Sequence, residues 1–158
     1  MISPEDAQRR QSPRHGPLAA QLAVLWEASV YAGRCHLALA EAVGDARCRA
    51  RLMVLAAFSR AHARRVLDRL AGMGRGPLPV PREDAPTIGR DIAGALRAAA
   101  AEAATLERRF ARCGDAAQKV NDLSTVWVCR LNETEQRDAA RELEAMARML
   151  EEKKWRQP

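Results

Sequence analysis

Aromatic side chains are scarce in this sequence, making up 4% of its 158 residues. β-branched residues are scarce as well, so Ala and Leu carry most of the 47% hydrophobic content. Both shortages disfavour strands and favour helices. The net charge of +6 would suit a phosphate-rich partner, but the lack of aromatics leaves little for bases to stack on, so nucleic acid is a poor candidate. The four cysteines, Cys35, Cys48, Cys113 and Cys129, form no CxxC pair. They read as buried free thiols in a reducing, cytoplasmic setting. No apolar run reaches the roughly 18 residues of a membrane span, so no membrane association is expected. Residues 1–16 have no apolar stretch of the kind a secretory leader needs, and read as a disordered N-terminal arm. The GxGxG at Gly72 to Gly76 follows a helix and lacks the Lys-Ser/Thr of a phosphate loop.

What is present is helical periodicity. The pattern predicts four helices, over 17–43, 45–73, 87–113 and 116–152, with 17–152 as one domain and 153–158 as a tail. Pro17 suits a first helical position. Gly44-Asp45 breaks the first pattern, and Asp45 caps the second helix. The stretch 72–86 holds three Gly and four Pro, so it reads as a crossover between two helical hairpins. Gly114-Asp115 breaks the pattern again. The inward stripe of helix one includes Leu18, Leu22, Leu25, Ser29, His36 and Val43, with Glu27 on the far side. That of helix two runs Cys48, Leu52, Leu55, Ser59, His62, Val66 and Leu70. On helix three it includes Ile92, Ala99, Leu106 and Phe110, with Glu102 at its border. Helix four offers two stripes, Val120, Trp127 and Leu131 against Val128, Ala139, Leu143 and Met146.

Polar residues on these inward stripes define a candidate site. Ser59 and His62, three apart, share one side of a helix. Together with Ser29, His36, Glu102, Cys129 and Asn132 they are expected to converge at mid-bundle. One reading is a single iron or zinc ion held by His36, His62, Glu102 and Cys129, with Ser29, Ser59 and Asn132 as further polar contacts. The other reading is a buried hydrogen-bond network. Glu133, Glu135 and Asp138 read as a solvated charged face. So do the seven arginines set against two aspartates between Asp45 and Met73. Val54 and Phe58 lie outward on helix two among arginines, which predicts self-association, most simply a homodimer.

The two halves are weakly repeated, with Gly44-Asp45-Ala46 recurring as Gly114-Asp115-Ala116. Two hairpins and one long crossover resemble the ferritin-like superfamily, and within it the rubrerythrin-type bundles. That resemblance implies a Glu on the first helix of each hairpin and Glu-x-x-His on the second, holding a di-iron pair. Those positions read Ser29, Ser59 with His62, Ala99 and Cys129 with Asn132, while Glu102 matches the extra Glu of rubrerythrins. No conventional di-iron centre is therefore expected. The chain is expected to be a non-catalytic protein that binds a small ligand or a protein partner. A metal-dependent redox enzyme with a His/Glu/Cys ligand set is the first alternative, and a basic nucleic-acid-binding protein is the second.

Overall fold

The computed structural model describes residues 16–81, 84 and 86–155. The regular elements among them are helices: α1 (Gly16–Ala42), α2 (Ala46–Gly72), α3 (Ile92–Lys119) and α4 (Leu123–Trp155). The fold is all-α, as composition predicts. The expected arm, up to residue 15, and residues 156–158 of the expected tail lie outside the described residues.

The apolar stripes build two clusters, one towards each end of the bundle. In the first, Leu22 and Leu25 of α1 meet Val66 and Leu70 of α2, Phe110 of α3 and Val128 of α4. In the second, Leu39 of α1 meets Leu52 and Leu55 of α2, Leu96 of α3 and Leu143 of α4. Each fully buried aliphatic or Phe side chain contributes about 1.5–3 kcal/mol. The early part of α1 therefore packs with the late part of α2 and of α3 and with the early part of α4. Every neighbouring pair is antiparallel. Helix α1 packs on α2 and α3, and α4 packs on α3 and α2, with α1/α4 and α2/α3 on the diagonals. The end of α2 at Gly72 and the start of α3 at Ile92 thus lie at opposite ends of the bundle.

The first turn falls at Gly44-Asp45, as the spacing predicts. Asp45 accepts from the backbone N–H of Arg47 and of Cys48, both at 3.0 Å, and so caps α2. Lys153 near the end of α4 donates to the same carboxylate at 2.5 Å. The second hairpin differs from expectation. Helix α3 starts not at 87 but at Ile92, after a cap by Asp91, whose Oδ1 accepts from the Gly94 N–H at 2.9 Å. Gly114-Asp115 does not break it, and the helix runs on to Lys119. The reason is packing: a Cβ on Gly114 would come within 3.2 Å of the Cys129 Cβ, so glycine permits the close approach of α3 and α4. The turn falls instead at 120–122, where Asn121 adopts a left-handed φ of 59°. Asp122 then accepts from the Thr125 N–H at 3.1 Å and starts α4.

The face of α4 also differs. Trp127 is 64% exposed and Val120 39% exposed, so the stripe they were expected to form does not reach the core. The buried positions are Thr125, Val128, Cys129, Asn132, Gln136, Ala139, Leu143, Met146 and Ala147. Several of these are polar, which hides the period from a count of apolar residues.

Candidate functional site

A polar layer separates the two apolar clusters. Helix α1 contributes Ser29 and His36, α2 contributes Ser59 and His62, and α4 contributes Asn132 and Gln136, all buried. Buried polar groups cost free energy unless they are bonded, and almost every one here is. Ser29 Oγ donates to the carbonyl of Leu25 at 2.8 Å. Ser59 Oγ and His36 Nδ1 lie 3.2 Å apart. Helices α1 and α2 meet closely at this level, because a Cβ on Gly33 would touch the Ser59 Cβ at 3.4 Å. Burial holds His36 down to about 4 despite a hydrogen bond to the Leu55 backbone, so the ring is neutral at pH 7.

His62 is held from both sides by α4. A carboxylate can only accept, so the proton sits on Nε2, which donates to Glu135 Oε2 at 2.7 Å. Nδ1 then accepts from the Gln136 amide at 3.0 Å. Burial lowers the His62 pKa, and the contact with Glu135 opposes that shift. Glu135 itself is shared. Arg65 Nη1 donates to its Oε2 at 2.6 Å, and Nη2 to its Oε1 at 3.2 Å. Burial pushes the Glu135 carboxyl up, but Arg65 and His62 together hold it below its usual value. Arg65 Nη1 also donates to Asn132 Oδ1 at 2.7 Å. The other end of that amide, Nδ2, is buried and has no partner among the described residues.

A second bridge between α2 and α4 lies one turn further along α2. Arg69 Nη2 donates to both oxygens of Asp122, at 3.0 and 2.8 Å, and Arg69 Nε donates to Thr125 Oγ1 at 2.8 Å. Burial raises the Asp122 carboxyl, but hydrogen bonds from Thr125 and Arg69 bring it below its usual range. The arginines of α2 are therefore largely engaged within the chain. Arg64 pairs with Asp68, Arg51 with Glu142, and Arg49 donates to the carbonyls of Ala40 and Val43.

The residues expected to form one site are distributed. His36 and Ser59 face each other, and His62 faces Glu135 and Gln136. Cys129 is buried beside Cys113, and both that contact and burial push its thiol up, so it rests protonated. Glu102 is exposed on α3, on the wall of a cavity that also touches His36. No group of three or more His, Cys, Asp or Glu side chains stands close enough to hold a metal ion among the described residues. Glu135 corrects the expectation of a solvated face, because it turns towards His62 and Arg65. Asp138 is exposed, as expected. Arg65, Glu135 and Gln136 join the site although sequence patterning does not place them there. Asn132 and Gln136, spaced i and i+4 in register with Cys129 and Leu143, carry the signal that could have found them.

The cavity lies between α1 and α3, with a volume of about 410 Å³. Alanines of both helices recur along its wall, residues 86–89 cover part of it, and His36 and Gln136 reach it from within. Cys35 also lines it, and burial raises its thiol pKa against an opposing hydrogen bond from Tyr31. No helix among the described residues is long and apolar enough to cross a membrane.

No protein-family model matches the sequence, and no curated protein matches it significantly. Among solved structures, the open-pore ferritin of the hyperthermophilic archaeon Archaeoglobus fulgidus is similar, with a TM-score of 0.71 at 15% identity. The match covers 85% of this chain and 87% of that one. At such identity the likeness shows the fold, a ferritin-like four-helix bundle.

Proposed function

We propose that this chain is a ferritin-like bundle in which a hydrogen-bonded layer stands where the fold would place a di-iron centre, and that it acts as a non-catalytic ligand-binding or interaction protein. One observation carries the reading. Both nitrogens of His62 are taken by Gln136 and Glu135, and the carboxylate beside it is bound by the Arg65 guanidinium. A side-chain cation thus neutralises Glu135 within this layer. A ferrous pair brings four positive charges, which need several bridging carboxylates. Ser29, Ser59, Cys129 and Asn132 supply none, so these residues do not fit that group, and no redox step is derived through it.

Anaerobic titration with ferrous iron, followed by oxygen, tests the reading. The expected outcome is no stoichiometric iron and no oxo-bridged absorption band. Two tightly bound irons per chain would overturn it. One iron or zinc per chain by elemental analysis would overturn it in favour of a set drawn from His36, His62, Glu102 and Cys129.

The partner side of the proposal is a cytoplasmic homodimer. Met53, Val54 and Phe58 on α2 are 50%, 42% and 46% exposed, a cluster of large apolar side chains on one helix. Sedimentation should show self-association that Val54→Glu with Phe58→Glu abolishes. A monomer at high concentration in the unmodified protein sinks this part.

A further inference from the structure

The cavity between α1 and α3 has an unusual lining. Alanines recur along its wall, among them Ala28 and Ala32 of α1 and Ala95, Ala99 and Ala103 of α3. Leu or Met at such positions would fill the space, so the void follows from the residues chosen. Its volume of about 410 Å³ falls within the roughly 300–1,000 Å³ of small-molecule sites. Apolar walls with a few placed polar groups are the usual make-up of such sites.

The polar groups set the ligand class. At the inner end stand His36 and Gln136, both buried. Gln136 gives its amide NH₂ to His62. No hydrogen bond to its Oε1 is present among the described residues, so that oxygen remains an acceptor. His36 is neutral at pH 7, and so is the Cys35 thiol, whose pKa burial raises. The inner end therefore offers hydrogen bonding without charge, and an ionised head group there would be desolvated without a counter-ion. Exposed Glu102 and Arg109 mark the solvent side, with opposite charges that favour neither anion nor cation.

We infer that this cavity is a binding site for an uncharged amphiphile, with an aliphatic or aromatic body between α1 and α3 and a hydroxyl donating to Gln136. This deepens the ligand-binding reading above and rests on it. The two fail separately, because iron titration probes the polar layer and alcohol binding probes the cavity.

The test is calorimetric titration with decan-1-ol, decanoate and decan-2-one at pH 7.5. One decan-1-ol per chain is expected, bound at least about tenfold more tightly than decanoate, given the cost of burying a carboxylate. Ala99→Leu fills the cavity and should weaken decan-1-ol by at least about tenfold while leaving the helical signal unchanged. Ala32→Leu, on the opposite wall, should do the same and serves if the first variant misfolds. Decan-2-one has no donor, so it should bind more weakly than the alcohol, and Gln136→Leu should remove that difference. Absence of saturable binding, decanoate binding as tightly as decan-1-ol, or both alanine variants binding like the parent would each overturn the site. An alcohol preference unchanged in Gln136→Leu would overturn the assigned hydroxyl contact.

Discussion

Helices α1 and α3 face each other with many alanines, whereas α2 and α4 meet through long charged and polar side chains. The first pair runs close together over more of its length. It still leaves a cavity of about 410 Å³, because methyl groups do not fill the space between the backbones. The second pair approaches less, and Arg65, Arg69, His62, Glu135 and Gln136 span the gap. The two pairs occupy corresponding positions in the bundle. One interface leaves room for a guest, and the other is closed by the protein's own ions.

The largest expected effect breaks the α2–α4 side. Asp122 is 5% exposed in its side chain and Arg69 17% exposed. Arg69→Met removes both guanidinium hydrogen bonds to the buried Asp122 carboxylate and should cost about 3–5 kcal/mol in urea denaturation. A loss within experimental error would show that the bridge is not needed to hold the start of α4.

Next comes pH. The folded chain holds His36 neutral down to about 4, while an unfolded histidine protonates near 6.5. Below 6.5 the unfolded chain binds more protons, so stability falls as pH drops from 6.5 towards 4. Burial depresses His62 in the same direction. The His36 contribution is up to about 3 kcal/mol, present in full above about 6.5. Thermal melts across that window should show the decline, and His36→Gln should flatten it. An equal slope in both proteins would remove His36 as its source.

Arg65→Met separates charge from packing within the polar layer. It removes two hydrogen bonds to Glu135 and one to Asn132, a loss of about 1–3 kcal/mol. The positive charge of Arg65 also lowers the His62 pKa, so that pKa should rise in the variant when followed by NMR. An unchanged titration would mean that the guanidinium does not act on the ring. The smallest effect belongs to the alanine side. Ala32→Leu and Ala99→Leu should change stability by less than about 1.5 kcal/mol, because each adds volume into existing space. A larger loss would show a wall too rigid to admit a guest.

The sequence reveals some of this clearly. On α1 and α2 the inward positions are mostly apolar and periodic, so helical spacing alone places Leu22, Leu52, Ser59 and His62 in the core. On α4 the inward face carries Thr125, Asn132 and Gln136, while Trp127 points outward. Hydrophobic counting fails there, because burial is supported by hydrogen bonds to other helices that no local pattern displays. The repeated Gly-Asp-Ala fails for a related reason. At Gly44 it ends a helix, whereas at Gly114 the missing side chain lets α4 approach. Glu135 reads as solvated because its partners, His62 and Arg65, lie 73 and 70 positions away along the chain.

The polar layer also acts as a key for alignment. Leucines from one turn resemble leucines from the next, so an apolar seam alone tolerates a slide of one turn, about 5.4 Å. A slide of α2 along α4 by that distance would part His62 from Gln136 and Glu135, and Arg65 from Asn132. The buried groups among them, His62, Asn132 and Gln136, would then lose their partners at about 1–3 kcal/mol apiece. The bonds at mid-bundle thus select one vertical alignment of the two hairpins from several that the leucines alone would accept.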